Sequence, residues 1–227
     1  MIVARRMTPN PITATPDMTH PQALDLMRKN NIRHLPVLEN GKLVGIVAEN
    51  DLLSSRPSPA TTLSIYEIYS LLDNLKLRQI MSSPVYAVEE DCPLEEAARI
   101  LTEKKITALP VMRGEELVGI ITEIDLFRAL VDVLGGDDKG LAITVRLEHK
   151  PGALATVAAA IAKAGGNILN IVVFRNPNDQ SADVYIKEIG ADQAQLEQYI
   201  RDEAAAELLD VRPSRHYEVL VFGKPRK

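Results

Sequence analysis

Leu43-Val44-Gly45-Ile46 returns later in the chain as Leu117-Val118-Gly119-Ile120, the signature of an internal repeat. Leu35-Pro36-Val37 likewise returns as Leu109-Pro110-Val111, and Asp51-Leu52 as Asp125-Leu126. The stretches 7–52 and 81–126 align without a gap at one offset of 74 residues (81 − 7). Met7/Met81, Asp17/Asp91, Ala23/Ala97 and Ile32/Ile106 are identical across it. A repeat of this kind marks a unit that cannot bury its apolar face alone and needs its copy. Two copies imply a pseudo-symmetric pair with clefts along the shared seam.

Each copy reads β-α-β-β-α. An extended start (Pro11 to Ala14; Pro84 to Val88) leads into an amphipathic helix, where Leu94, Ala97, Ala98 and Leu101 share one face. Leu-Pro-Val then reads as a strand start, where proline's missing N–H is tolerated. A polar turn (Glu39-Asn40-Gly41; Arg113-Gly114-Glu115) precedes an apolar strand and a second helix. Between the copies, Ser55-Arg56-Pro57-Ser58-Pro59 is loop chemistry, and Ser64-Ile65-Tyr66-Glu67 has the form of a capping box. The stripe Ile65, Ile68, Tyr69, Leu72, Leu75 predicts a helix packed on the pair or on a second protomer.

Gly135-Gly136-Asp137-Asp138-Lys139-Gly140 is the clearest boundary. After it the pattern reads βαββαβ: a strand from Leu141, a helix after Gly152, Gly165-Gly166 ending it, and strands at 168–174 and 182–187. In the latter, Ala182, Val184 and Ile186 alternate with Asp183, Tyr185 and Lys187. A helix over 191–205 and closing strands at 208–211 and 217–222 complete it. The fold class is α/β (α+β). The expected domains are repeat one at 1–56, a helical linker at 57–78, repeat two at 79–136, a third domain at 140–212, and an extra strand and tail at 213–227.

Composition narrows the function. Of 227 residues, 46% are hydrophobic and 25% charged, ordinary for a globular protein. The net charge of −5 gives no basic footprint for nucleic acid, and 4% aromatics without tryptophan offer few stacking platforms. No apolar run is long enough to span a bilayer, and the start Met1-Ile2-Val3-Ala4-Arg5-Arg6 lacks a signal-peptide core. Cys92 stands alone, so no internal disulfide forms. These features point to a cytoplasmic protein without membrane or nucleic-acid partners. No metal-ligand spacing and no catalytic constellation stands out, so the chain reads as a non-enzyme that requires no cofactor. Cys92 precedes Pro93 at a helix start, where a thiol pKa can be lowered; packing or capping is the simpler role.

The repeated unit resembles the CBS domain and the tandem pair the Bateman module, on Leu-Pro-Val followed by Gly-hydrophobic-hydrophobic-Thr-x-x-Asp. The second copy has the full form, Gly119-Ile120-Ile121-Thr122-Glu123-Ile124-Asp125; in the first, Ala48 replaces the threonine. Lys150-Pro151-Gly152-x-Leu154 after a strand, with Gly166-Asn167-Ile168 opening the next, resembles an ACT domain. The combination is similar to bacterial CBS-ACT proteins.

The resemblance implies an adenosine ligand (AMP, ADP, ATP or S-adenosylmethionine) as regulatory ligand in the CBS clefts. The motif aspartate would accept from the ribose hydroxyls and the threonine would serve a phosphate at the helix start. Thr122, Asp125 and Gly119 would then face Pro11, Ile12, Arg33 and His34 of the other copy, with Arg33 and His34 supplying cation and donor. The opposite cleft would pair Asp51 with Val85, Tyr86, Thr107 and Ala108; lacking a threonine at 48 and a cation at 107 or 108, it should be the weaker. Thr122-x-x-Asp125 is equally a capping box. In the ACT part the matching positions are His149, Gly152, Asn167 and Ile168, suited to an amino acid or small metabolite between protomers. The expectation is a homodimeric regulatory sensor acting on an unidentified effector protein; the alternative is an assembly adaptor that binds no ligand.

Overall fold

The computed structural model describes residues 1–58, 62–136, 139–204 and 206–214. It divides into two compact units, Met1–Arg128 and Ala129–Lys227. The first unit holds β1 (Thr8–Pro9), α1 (His20–Asn30), β2 (His34–Glu39), β3 (Lys42–Ala48), α2 (Glu49–Ser54), α3 (Ile65–Asn74), β4 (Val88–Glu89), α4 (Leu94–Lys104), β5 (Ala108–Arg113) and β6 (Glu116–Thr122). It also holds the first turns of α5 (Glu123–Val133).

Local chemistry sets these elements. Asn40 and Gly41 both take positive φ (53° and 80°), the requirement of the tight turn that joins β2 to β3. Gly114 supplies φ 59° in the equivalent β5–β6 turn. Each first helix ends on a left-handed residue, Asn31 or Lys105. Pro36 and Pro110 stand third in β2 and β5, not at the strand starts that the sequence suggests. Pro36 is tolerated because its main-chain polar atoms face away from β3: its carbonyl accepts from the Ala14 N–H at 2.9 Å. The extended start of the second copy is shorter than the sequence suggests, with only Val88–Glu89 paired to β5.

The two repeats exchange their leading segments. Leu35, Val37, Val47, Leu52, Ala23 and Met27 form the first repeat's core, and Leu77 completes it. Leu109, Val111, Ile121, Ala97 and Leu101 form the second, and Val3 completes that one. Both contributors are fully buried, which stabilises each by about 1.5–3 kcal/mol. Hydrogen bonds fix the exchange: Val3 N–H donates to the Cys92 carbonyl, and Leu77 N–H to the Met18 carbonyl, both at 2.9 Å. β1 joins the second repeat's sheet (order β1-β6-β5-β4), while Ser82 bridges Ile46 in β3.

The linker helix α3 forms with the capping box read from sequence, Glu67 Oε2 accepting from the Ser64 N–H at 2.8 Å. Only part of its apolar stripe is covered: Leu72 is buried, whereas Tyr66 and Tyr69 are 83% and 60% exposed.

The second unit contains β7 (Leu141–Glu148), α6 (Ala153–Lys163), β8 (Asn167–Arg175), β9 (Ser181–Ile189), α7 (Gln193–Glu203) and β10 (Glu207–Pro213). The sheet order β10-β7-β9-β8 is antiparallel throughout. Val145, Ile143, Val184 and Ile186 pack beneath Val157, Ile161, Leu196 and Ile200 of the two helices. The alternation read along β9 breaks at its end, where Lys187 and Glu188 are both buried. Lys187 donates its ammonium to the Gly135 carbonyl just past α5, and Glu188 accepts from the Ala191 N–H at 3.0 Å. The expected strand over 217–222 lies outside the described residues.

Candidate functional site

Both motif aspartates sit at helix starts and do a structural task there. Asp125 Oδ2 accepts from the Thr122 N–H at 2.9 Å and from the Thr122 hydroxyl at 2.7 Å. Its Oδ1 faces Arg128 Nη1 at 3.6 Å, and the side chain is 11% exposed. Asp51 Oδ2 accepts only from the Ala48 N–H, at 2.8 Å, because Ala48 has no hydroxyl. The capping function is therefore real in both copies, and one oxygen of Asp125 is committed to it.

The seam between repeats is bridged by His34, whose Nε2 lies 2.7 Å from Thr107 Oγ1. Behind this bridge, the Arg33 carbonyl accepts the Glu49 N–H that opens α2, and the Thr107 carbonyl accepts the Glu123 N–H that opens α5. The two aspartate-bearing helix starts are thus joined through Arg33-His34 and Thr107. Arg33 and His34 lie against their own repeat's α2, and the His34 imidazole feels the Asp51 carboxylate. Burial and the adjacent Arg33 hold His34 below the ordinary imidazole range, with Asp51 pulling it partly back.

The remaining candidates divide by what they touch. Ala108 is buried and pairs with Thr122 in the ladder. Ile12 packs on the first repeat's core, Pro11 and Val85 are half-buried, and Tyr86 is exposed. Gly119 has a packing reason of its own: a Cβ there would lie 2.3 Å from Met7 Sδ, and one at Gly45 would lie equally close to Met81 Sδ. Two cations with partners in the second repeat escaped the sequence reading. Arg128 lies one helical turn beyond Asp125, and Lys104 holds its ammonium 5.0 Å from the Tyr86 ring centre. The i, i+3 spacing of Asp125 and Arg128 is a signal that could have found the first. Cys92 is no activated thiol: burial, then the carboxylates of Glu96, Asp91 and Glu95, push it up.

In the second unit, β7 and β8 run in the same direction on either side of β9. Asn167 pairs at the Ile189 end, whereas Glu148 pairs with Ser181 at the other. Eight strand residues, roughly 26 Å, therefore separate the Asn167 end of the sheet from the Glu148 end, where His149 and Gly152 follow in one chain. Ile168 is half-buried against the core, and His149 and Asn167 are exposed. Gly152 takes φ 85° at the start of α6 with nothing within 4 Å of a would-be Cβ, so its requirement is conformational. The depression of about 420 Å³ in this unit is lined by Arg146, Leu147, Glu148, Asp179, Gln180, Ser181 and Glu207. It contains none of the candidates; the Arg146–Asp183 ion pair at 2.7 Å crosses this part of the sheet.

Comparison with known proteins gives this geometry its relatives. The CBS domain family matches residues 3–58 and 77–132, and the ACT domain family residues 142–202. The first CBS match begins at Val3 and the second at Leu77, the two exchanged core residues. Protein MJ1404 of Methanocaldococcus jannaschii is 33% identical over 138 residues, 59% of this chain; the chain spans 33% of that protein's length. A crystal structure from Vibrio cholerae, described as an acetoin utilization protein (AcuB), is 33% identical with a TM-score of 0.50. It covers 60% of this chain and 95% of that one. The CBS domain pair of protein MJ0100, solved with 5-methylthioadenosine and S-adenosyl-L-methionine, is 26% identical with a TM-score of 0.49, covering 61% of this chain and 98% of that one. No helix among the described residues is long and apolar enough to cross a membrane. The chain belongs to the CBS domain proteins, with two CBS domains in tandem followed by an ACT domain.

Proposed function

We propose that the CBS pair is a regulatory sensor of an adenosine ligand, an adenine nucleotide or S-adenosylmethionine, whose occupancy is read by a partner protein. The observation that carries this reading is the His34–Thr107 bridge. It brings together, from opposite repeats, the segments that lead into the Asp51 and Asp125 helix starts. Around that seam stand the groups an adenosine ligand needs. Asp125 Oδ1 can accept from a ribose hydroxyl, Thr122 and the start of α5 suit a phosphate, and Arg33 with neutral His34 offers donors. The Asp125 cleft, with its hydroxyl, is the stronger ribose–phosphate site.

The same reading assigns assembly to both domains. Tyr66 on α3 is 83% exposed and Phe127 on α5 is 65% exposed. In the ACT domain β8 is an edge strand carrying half-exposed Ile171 and Val173. Such surfaces favour a second copy. Pairing β8 antiparallel with its copy would set the His149–Gly152 loop of one protomer towards Asn167 of the other, where a small amino acid would sit. Equilibrium dialysis of the native protein against AMP, ADP, ATP and S-adenosylmethionine tests the sensor. Saturable binding of at least one, weakened by Asp125→Ala, is expected; failure of all four would leave assembly as the function.

A further inference from the structure

The second repeat's closing helix is longer than its copy. α2 spans 6 residues, Glu49–Ser54, and α5 spans 11, Glu123–Val133. At the repeat offset Ser54 corresponds to Arg128, so the added stretch is 129–133. The division into compact units falls at the same place: Arg128 closes the first unit and Ala129 opens the second. One unbroken helix of about 16 Å therefore starts at the Thr122–Asp125 cap and ends inside the unit that holds the ACT domain.

The far end of α5 is closed twice. Gly135 takes φ 62°, Gly136 N–H donates to the Val131 carbonyl at 2.9 Å, and Gly135 N–H to the Asp132 carbonyl at 3.1 Å, a complete Schellman motif. The ACT sheet then grips the same glycine. Lys187 on β9 donates its ammonium to the Gly135 carbonyl. Asn170 on β8, with its amide oriented to satisfy both polar atoms, accepts from the Gly135 N–H at 3.2 Å. Lys187 and Asn170 are register partners across the two strands. Lysine is seldom buried without a partner, yet Lys187 is 3% exposed; the carbonyl end of a helix is a favourable place for an ammonium.

A helix of 11 residues is too short to stand alone in water, and helix formation is cooperative, so each end depends on the other being held. We propose that Lys187 and Asn170 form a clasp through which the ACT domain senses the first turn of α5, so that a ligand at Asp125 tightens the ACT sheet and loss of the clasp weakens that ligand. The ligand's part rests on reading the Asp125 cleft as an adenosine site; the linkage between the two ends of α5 does not. Lys187 acts here as a positioning residue, through α5.

Hydrogen exchange of the full chain, read at Gly135, Gly136 and across β8 and β9, tests the linkage without ligand. Thr122→Ala removes the hydroxyl that accepts from the Asp125 N–H in the first turn. It should raise exchange at the far end about fivefold, the effect of one lost cap. In the Lys187→Met background the same substitution should add nothing in β8 and β9. Asn170→Ala, at a half-buried position, takes the place of Lys187→Met if that variant does not fold. An unchanged far end, or an equal rise in both backgrounds, would overturn the clasp. Calorimetry with AMP and with S-adenosylmethionine then reads the effect on the ligand. Whichever binds should bind Lys187→Met about fivefold more weakly, because linkage is reciprocal. An unchanged Kd would make Lys187 purely structural and overturn the transmission. Lys163→Met, which removes an exposed ion pair with Glu203 in the same domain, should leave Kd unchanged; an equal loss there would overturn the specific role of Lys187. If the natural chain binds neither ligand, the adenosine reading fails, and the exchange result still decides the clasp.

Discussion

Replacing Asp125 by alanine removes two functions whose magnitudes can be worked separately. Oδ2 closes the start of α5 through the Thr122 N–H and hydroxyl, at 2.9 and 2.7 Å. Losing such a cap costs about 1 kcal/mol, which in a chain of this size lowers Tm by roughly 2–4 °C. The Arg128 pair adds little, because Arg128 Nη1 is 3.6 Å away and its side chain is 75% exposed. Ligand binding has only Oδ1 to lose. One hydrogen bond to a charged acceptor is worth about 1.5–3 kcal/mol, or roughly 10- to 150-fold in Kd. Had both oxygens been free for a ribose diol, the expected loss would be larger.

The assay is titration calorimetry of the natural chain, Asp125→Ala and Asp125→Asn with the same adenine nucleotide, beside thermal melts without ligand. Asparagine keeps one acceptor for the Thr122 N–H, so its Tm should lie closer to that of the natural chain while affinity still falls. A lowered Tm with unchanged Kd in both variants would refute the ribose role and leave Asp125 as a helix cap only.

Other perturbations probe the frame around the clefts. Gly119→Ala should destabilise by about 1–3 kcal/mol, the cost of overpacking, because the new Cβ meets Met7 Sδ at 2.3 Å. Met7→Ala should recover much of that loss, and an additive double mutant in chemical denaturation would refute the notch. Val3→Ala and Leu77→Ala should each cost about 1–5 kcal/mol, the range for truncating buried aliphatics. Hydrogen exchange should then rise in the second repeat for Val3→Ala and in the first for Leu77→Ala; the reverse would contradict the exchange. His34 has its folded pKa below the ordinary 6.5, so its contribution to stability is full above that value and is lost as pH falls through the window beneath it. The Tm advantage of the natural chain over His34→Gln should therefore shrink from pH 7 to pH 5, and a pH-independent difference would refute the half-buried neutral imidazole.

Much of this architecture was legible in the residues. The fixed offset gave the pair, Asn40-Gly41 and Gly114 gave the hairpins, and the glycine-rich boundary separated the βαββαβ part. What remained hidden was non-local. Val3 and Leu77 stand at the same offset as the repeat, yet nothing in spacing says that each enters the other copy's core. Met7/Met81 and Gly45/Gly119 are conserved between the copies in sequence, but their meeting is a fact of packing. Lys104 was missed because cations were sought only at the two positions before Leu-Pro-Val. The lysine lies on the preceding helix and reaches Tyr86 across a break in sequence. The burial of Lys187 was equally invisible to an alternating pattern, since it depends on the Gly135 carbonyl far along the chain.

The exchange of leading segments makes the two repeats depend on each other. Neither repeat has a complete core without residues that precede the other, so opening one repeat withdraws support from its neighbour. The segments that cross, β1 onto β6 and Ser82 onto Ile46 in β3, lie beside the glycine notches filled by Met7 and Met81. A ligand at either aspartate therefore acts on a frame that both repeats share, and the His34–Thr107 bridge sits between the two helix starts. Differential affinity for two arrangements of that bridge is sufficient to bias the pair. Because one His34 serves both sides, occupancy of the Asp125 cleft should alter affinity at the Asp51 cleft, and linkage requires the reverse effect to be equal. Two independent sites in a full titration, with His34→Ala leaving both unchanged, would show that the bridge is structural and that each cleft works alone.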